Sequence, residues 1–102
     1  MEVLGPKGPQ RHTGPDLLPW ARNQLLIAEQ IMDNPGGGLL FATQTVGQVK
    51  AALSESGPER WQSLVQLLDE VEDSMIRRRF DLARAALERA TRALADEQPA
   101  QA

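Results

Sequence analysis

The chain has no cysteine and no tyrosine, a single histidine, and four aromatic residues among its 102. Lack of cysteine excludes a disulfide framework, a thiolate nucleophile and a cysteine-bound zinc; it fits a reducing compartment, and the expected location is cytoplasmic. The one histidine, His12, stands among Gly5, Pro6, Gly8, Pro9 and Gly14, where no second group is held near it for general-base or metal chemistry. The serines and threonines have no base spaced to activate them, and Gly36-Gly37-Gly38 lacks the Lys-Ser/Thr ending and the strand context of a phosphate loop. These absences point to a protein that is not an enzyme and needs no cofactor.

Long apolar runs are missing too. Nothing approaches the roughly 20 residues that span a bilayer, and Met1 to Gly14 lacks the apolar stretch of a secretory signal. With a formal charge of −3 and a pI near 5.1, the molecule as a whole repels nucleic acid and anionic membranes weakly. No membrane partner is expected, and nucleic acid is a weaker expectation than protein.

What is present reads as one helical domain. At 41% hydrophobic and 25% charged residues, a single core is expected. Because the aromatics are only Trp20, Phe41, Trp61 and Phe80, that core must be built from Leu, Ala, Val and Ile packed helix to helix. The fold class is all-α: a compact bundle of three or four helices over 15–96, with a flexible arm at 1–14 and a short disordered tail at 97–102.

Helices are expected at about 16–33, 40–54, 57–76 and 80–96. In the first, Asp16 can cap free N–H groups and Pro19 falls where its missing donor is not needed. Leu17, Ala21, Leu25, Ala28 and Met32 then repeat at threes and fours, with Leu18, Leu26, Ile27 and Ile31 widening the face. Such breadth suggests a central helix. Asn34-Pro35-Gly36-Gly37-Gly38 ends it and reads as a linker.

The second segment is weaker. Ala42, Val46, Val49 and Leu53 share a helical face, yet Thr43, Thr45, Val46 and Gly47 lower helix propensity, leaving a strand at 39–45 as an alternative. For the third, Ser56-Gly57-Pro58-Glu59 matches a capping box, so a helix should start there. Trp61, Leu64, Leu68, Val71 and Met75 form its seam.

A further seam, Ile76, Phe80, Ala83, Leu87, Ala90 and Leu94, is one residue out of phase with the third helix. Either the chain turns at Arg77-Arg78-Arg79, with Asp81 capping a fourth helix, or one helix runs from about 58 to 96. The turn is preferred, because a hairpin covers its own apolar face while the long helix needs a second chain. Trp61, Leu64, Leu68, Phe80, Leu87 and Leu94 are the expected centre of the core.

Phe80 to Ala90 resembles the second helix of a tetratricopeptide-like hairpin, with an aromatic at the turn and small residues at Ala83 and Ala90. The resemblance covers about a tenth of the chain, and no second copy of the repeat is present. Upstream, Glu70 and Ser74 stand where apolar or small residues would be expected. We read it as local convergence on close helix packing.

Three surface constellations carry functional meaning. Arg77, Arg78, Arg79 and Arg84 form the strongest cationic cluster and are the expected partner-binding residues, suited to carboxylate or phosphate. Thr43 to Leu53 and Pro58 to Leu68 have the spacing of a helix-turn-helix, although the second of these would present Glu59, Arg60, Gln62, Ser63, Gln66 and Asp69 to a duplex, a poor cationic surface. Asp69 and Asp73 lie one helical turn apart and could seat a metal for hydrolysis, but Arg77 follows Asp73 at ion-pair spacing and no second acidic motif joins them. The leading expectation is a non-enzymatic helical interaction or adaptor module whose partner is another protein or itself. A small dimeric DNA-binding regulator is the alternative.

Overall fold

The periodic segments become four α-helices: α1 (Leu17–Ile31), α2 (Gly38–Ser56), α3 (Gln62–Ile76) and α4 (Phe80–Glu97). They come from a computed structural model that describes residues 17–97. The expected arm at 1–14, the Asp16 cap and positions 98–102 of the expected tail lie outside the described residues. Glu97, placed in the tail by sequence, is the last residue of α4.

Each helix packs closely on two others: α1 on α2 and α4, α3 on α2 and α4, with no Cα–Cα approach within 8 Å across the diagonals α1–α3 or α2–α4. The expectation that α1 is central is therefore corrected. It is one of four equivalent walls, and its broad face is more than the bundle can cover: Leu17, Leu18, Ala21, Leu25 and Ala28 are buried, while Leu26 and Ile27 are exposed.

The core is wholly apolar; no polar or charged residue is buried among those described. Trp61, Leu64, Leu68, Leu87 and Leu94 lie in it as expected, whereas Phe80 is half-buried at its margin. In α4 the inward residues include Ala83, Ala86 and Ala90, whose small side chains let the helix approach closely.

The segment 39–45 is helical, so the strand alternative falls. Thr43 Oγ1 donates to the carbonyls of Leu39 (3.1 Å) and Leu40 (2.9 Å), and Thr45 Oγ1 to that of Phe41 (2.8 Å). The hydroxyls that lower helix propensity are thus satisfied by the helix itself, while Ala42, Val46, Val49 and Leu53 supply its buried face.

The capping box is not formed. Ser56 is the last residue of α2 and not the residue before α3, which begins at Gln62 after Trp61 with no side-chain cap. The cause is Pro58, which keeps its predecessor out of the helical region: Gly57 adopts φ −170° and ψ 87°, although its N–H still reaches the Leu53 carbonyl at 3.0 Å. A capping serine must stand outside the helix with extended backbone, and here the break falls one residue later.

The chain does turn between α3 and α4, so there is no long helix. Arg78 takes φ +60°, the one described residue other than glycine with positive φ. Its N–H donates to the Met75 carbonyl (2.9 Å) and that of Arg79 to the Ser74 carbonyl (2.8 Å). This is the Schellman arrangement, which satisfies the last carbonyls of a helix and usually places glycine where Arg78 stands. At the start of α4 the Arg79 carbonyl accepts from Ala83 N–H (3.0 Å), so Arg79 holds the capping position and Asp81 stands inside the first turn. There its charge complements the helix dipole.

The glycine linker has a tight structural reason at each position. Gly36 and Gly37 have φ +80° and +103°, which side-chain-bearing residues rarely adopt. Gly38 opens α2 against the end of α1: a Cβ there would lie 2.1 Å from the Ile31 carbonyl oxygen.

Candidate functional site: an apolar groove beside the arginine turn

The α1–α2 and α3–α4 reversals meet at one end of the bundle and leave a groove of about 540 Å³ between them, lined by Asn34 to Gly37, Leu39, Leu40, Thr43, Ile76 and Arg78. It is an open surface groove. Its apolar walls are unusually bare: Ile76 is 70% exposed, Leu40 60%, and the neighbouring Phe41 59%.

The phase shift at Met75 and Ile76 explains the groove. Met75 is fully buried as the last residue of the α3 seam. Ile76 follows it a helical step away and, instead of starting the α4 seam as the spacing predicts, faces outward. Leu40 and Phe41 arise the same way in the first turn of α2, where Gly38 and Ala42 take the buried positions. Leu39 is half-buried against the core. The spacing places Ile76 in the apolar seam of the fourth helix and does not mark Leu40 or Phe41 as surface groups. The available signal was the adjacency of Met75 and Ile76: a helix flank cannot bury both.

The four arginines named from sequence fall into two groups. Arg77 Nε donates to Asp73 Oδ1 at 3.0 Å, an exposed pair one turn apart. Arg84 joins α4 to the end of α1, 3.4 Å from Asp33 Oδ2 and 3.9 Å from Glu29 Oε2. Arg78 lines the groove, and Arg79, the next residue in the chain, is exposed. No carboxylate among the described residues pairs with Arg78 or Arg79. One cluster in sequence thus separates into two paired cations, Arg77 and Arg84, and two with no carboxylate partner among the described residues, of which Arg78 lines the groove.

The carboxylates of α3 are engaged elsewhere. Lys50 Nζ, on α2, lies 2.5 Å from Asp69 Oδ1 and 2.7 Å from Glu72 Oε1. Hydrogen bonds to Asp69 and then Glu72 raise the Lys50 pKa above its ordinary value, outweighing partial burial. Arg89 lies 3.5 Å from Glu70 Oε1. Asp69 and Asp73 are therefore each held by a cation, and no three carboxylate or histidine side chains gather in metal-binding geometry among the described residues.

Between α1 and α4, burial first and the nearby Glu88 carboxylate second raise the Glu29 pKa above the ordinary range; Arg84 opposes this only in part. The α2–α3 pair, read as a helix-turn-helix from sequence, has an outward α3 face of Gln62, Ser63, Gln66, Asp69, Glu70 and Asp73, with no cation among them. No described helix is long and apolar enough to cross a membrane.

Comparison of the chain with protein-family models, with curated proteins and with solved structures returns no match, so its functional reading rests on the chemistry of the groove and the cations beside it.

Proposed function

We propose that this protein is a non-enzymatic helical interaction module that docks another protein on the groove at its loop end. The observation that carries this reading is that Ile76 and Leu40, the two most exposed large apolar side chains among the described residues, line one groove. Apolar side chains left in water around a groove gain free energy when a partner covers them, about 25 cal/mol per Å² of apolar area, and such patches mark interaction surfaces. The Arg78 guanidinium, with no carboxylate partner among the described residues, supplies a polar anchor on its wall.

The test is a tagged pull-down from native lysate with and without nuclease, run in parallel with the double variant Leu40→Ser/Ile76→Ser. A nuclease-resistant protein that the wild-type chain retains and the variant loses supports the module. Partners that vanish with nuclease, or recovery of nucleic acid itself, would replace it with the DNA-binding regulator. A partner retained equally by the variant would place docking on another face.

A further inference from the structure

The groove also constrains what it binds, granted the docking reading above. At about 540 Å³ it has the size of a pocket that takes a few side chains. A short segment of chain is enough to fill it. Its walls are apolar at Leu40, Pro35 and Ile76, with Arg78 the one charged residue among those lining it.

Arg78 is conspicuous in two independent ways. Its guanidinium has no carboxylate partner among the described residues, although Arg77 and Arg84 on either side each have one. Its backbone holds φ +60°, where glycine is the unstrained choice. A side chain carried at a cost to the backbone, with no ionic contact among the described residues, points to a contact outside the bundle.

We infer that the groove takes a short segment of another protein bearing two apolar side chains and an adjacent carboxylate. The apolar pair covers Leu40 and Ile76, and the carboxylate receives a two-point hydrogen bond from the Arg78 guanidinium, whose planar fork matches it. Charge complementarity selects this occupant: Arg78, the one charged residue lining the groove and without a carboxylate partner among the described residues, calls for an anionic counterpart.

The probe is a displayed library of random twelve-residue peptides, selected on the full chain, with recovered peptides titrated by fluorescence anisotropy. Arg78→Gly preserves the turn, since glycine adopts its φ, and so removes the guanidinium without endangering the fold. Recovered peptides should share two apolar residues and a nearby Asp or Glu, and Arg78→Gly should weaken them about tenfold, the scale of a charge-assisted hydrogen bond. Changing the peptide's acid to its amide should cost the wild-type chain the same factor and the Arg78→Gly chain little.

Peptides that require Leu40 and Ile76 but bind Arg78→Gly unchanged would overturn the carboxylate assignment and leave the docking groove standing. Selection that yields no peptide, or only peptides insensitive to Leu40→Ser/Ile76→Ser, would overturn the short-segment occupant. Sedimentation that shows a dimer abolished by Ile76→Ser would put a second copy of the chain in the groove and overturn it as well.

Discussion

The chain reverses direction twice at the same end of the bundle, and the two reversals meet one stereochemical demand with opposite residues. Between α1 and α2 the positive φ angles fall on Gly36 and Gly37; between α3 and α4 the positive φ falls on Arg78. The glycine turn puts no side chain into the groove at those positions, and Gly38 lets two helices meet at backbone distance. The arginine turn accepts strain and places a charged side chain on the groove. Backbone geometry governs the first turn, while the second also depends on what its side chain does in solvent.

The largest effect that would break this contrast is expected at Gly38→Ala. The new Cβ would meet the Ile31 carbonyl oxygen at 2.1 Å, which cannot yield without moving α1 against α2. A loss of about 3 kcal/mol is expected; thermal unfolding should show a fall of roughly 12–24 °C for a domain of this size.

Arg78→Gly sharpens the comparison with the opposite sign. Relief of the left-handed conformation should stabilise the fold by about 1 kcal/mol, after allowing for the extra freedom glycine has in the unfolded chain. Chemical denaturation would show it as a higher midpoint at unchanged slope. A destabilised Arg78→Gly would mean the guanidinium makes a contact that outweighs the strain, which would remove the reason to look for its partner outside the molecule.

Away from the turns, Glu29→Gln should stabilise modestly and only above the acid range. With its folded pKa raised, the Glu29 carboxyl favours the folded state when protonated. That contribution is complete below the unfolded pKa of about 4.3 and is lost as pH rises through the higher folded value. At pH 7 the amide should therefore gain about 0.5 kcal/mol, the scale of partly exposed charges. At pH 4 the two proteins should unfold together, and a pH-independent difference would show that packing, not ionisation, separates them.

Smallest of all should be the effect of Ile76→Ser on stability. At 70% exposure the side chain contributes little to the core, so a change within about 0.5 kcal/mol is expected, in contrast with the buried Met75 beside it. Denaturant unfolding that showed a loss on the scale of a core truncation, roughly 2 kcal/mol or more, would mean Ile76 is covered in solution.

Much of the architecture was legible before the structure. The threes-and-fours spacing in α1, α3 and α4 identified the residues that became the core, and the proline and glycines after Asn34 marked the first reversal. Capping chemistry was harder to read. Ser56-Gly57-Pro58-Glu59 has the residues of a helix start, yet Pro58 acts on the residue before it and turns the same four positions into a helix end. Local motifs of this kind compete, and the winner depends on where the preceding helix stops.

The candidate site was legible only in half. Arg77 to Arg79 and Arg84 stood out as a basic run, but which of them are bare depends on carboxylates contributed by other parts of the chain, such as Asp33 for Arg84. The apolar half was hidden because Ile76, Leu40 and Phe41 look like core residues in any window of sequence.

By itself, then, the sequence determined the class of fold and most of the helices' inward faces, because helix periodicity and chain breakers act over a few residues and need no distant partner. Only the tertiary structure decided that α1 is one wall among four, that Ile76 points to water and Met75 does not, and that Arg78 faces a groove with no counter-ion among the described residues. These are matters of which surfaces remain uncovered once four helices have met, and no local stretch of chain contains that information.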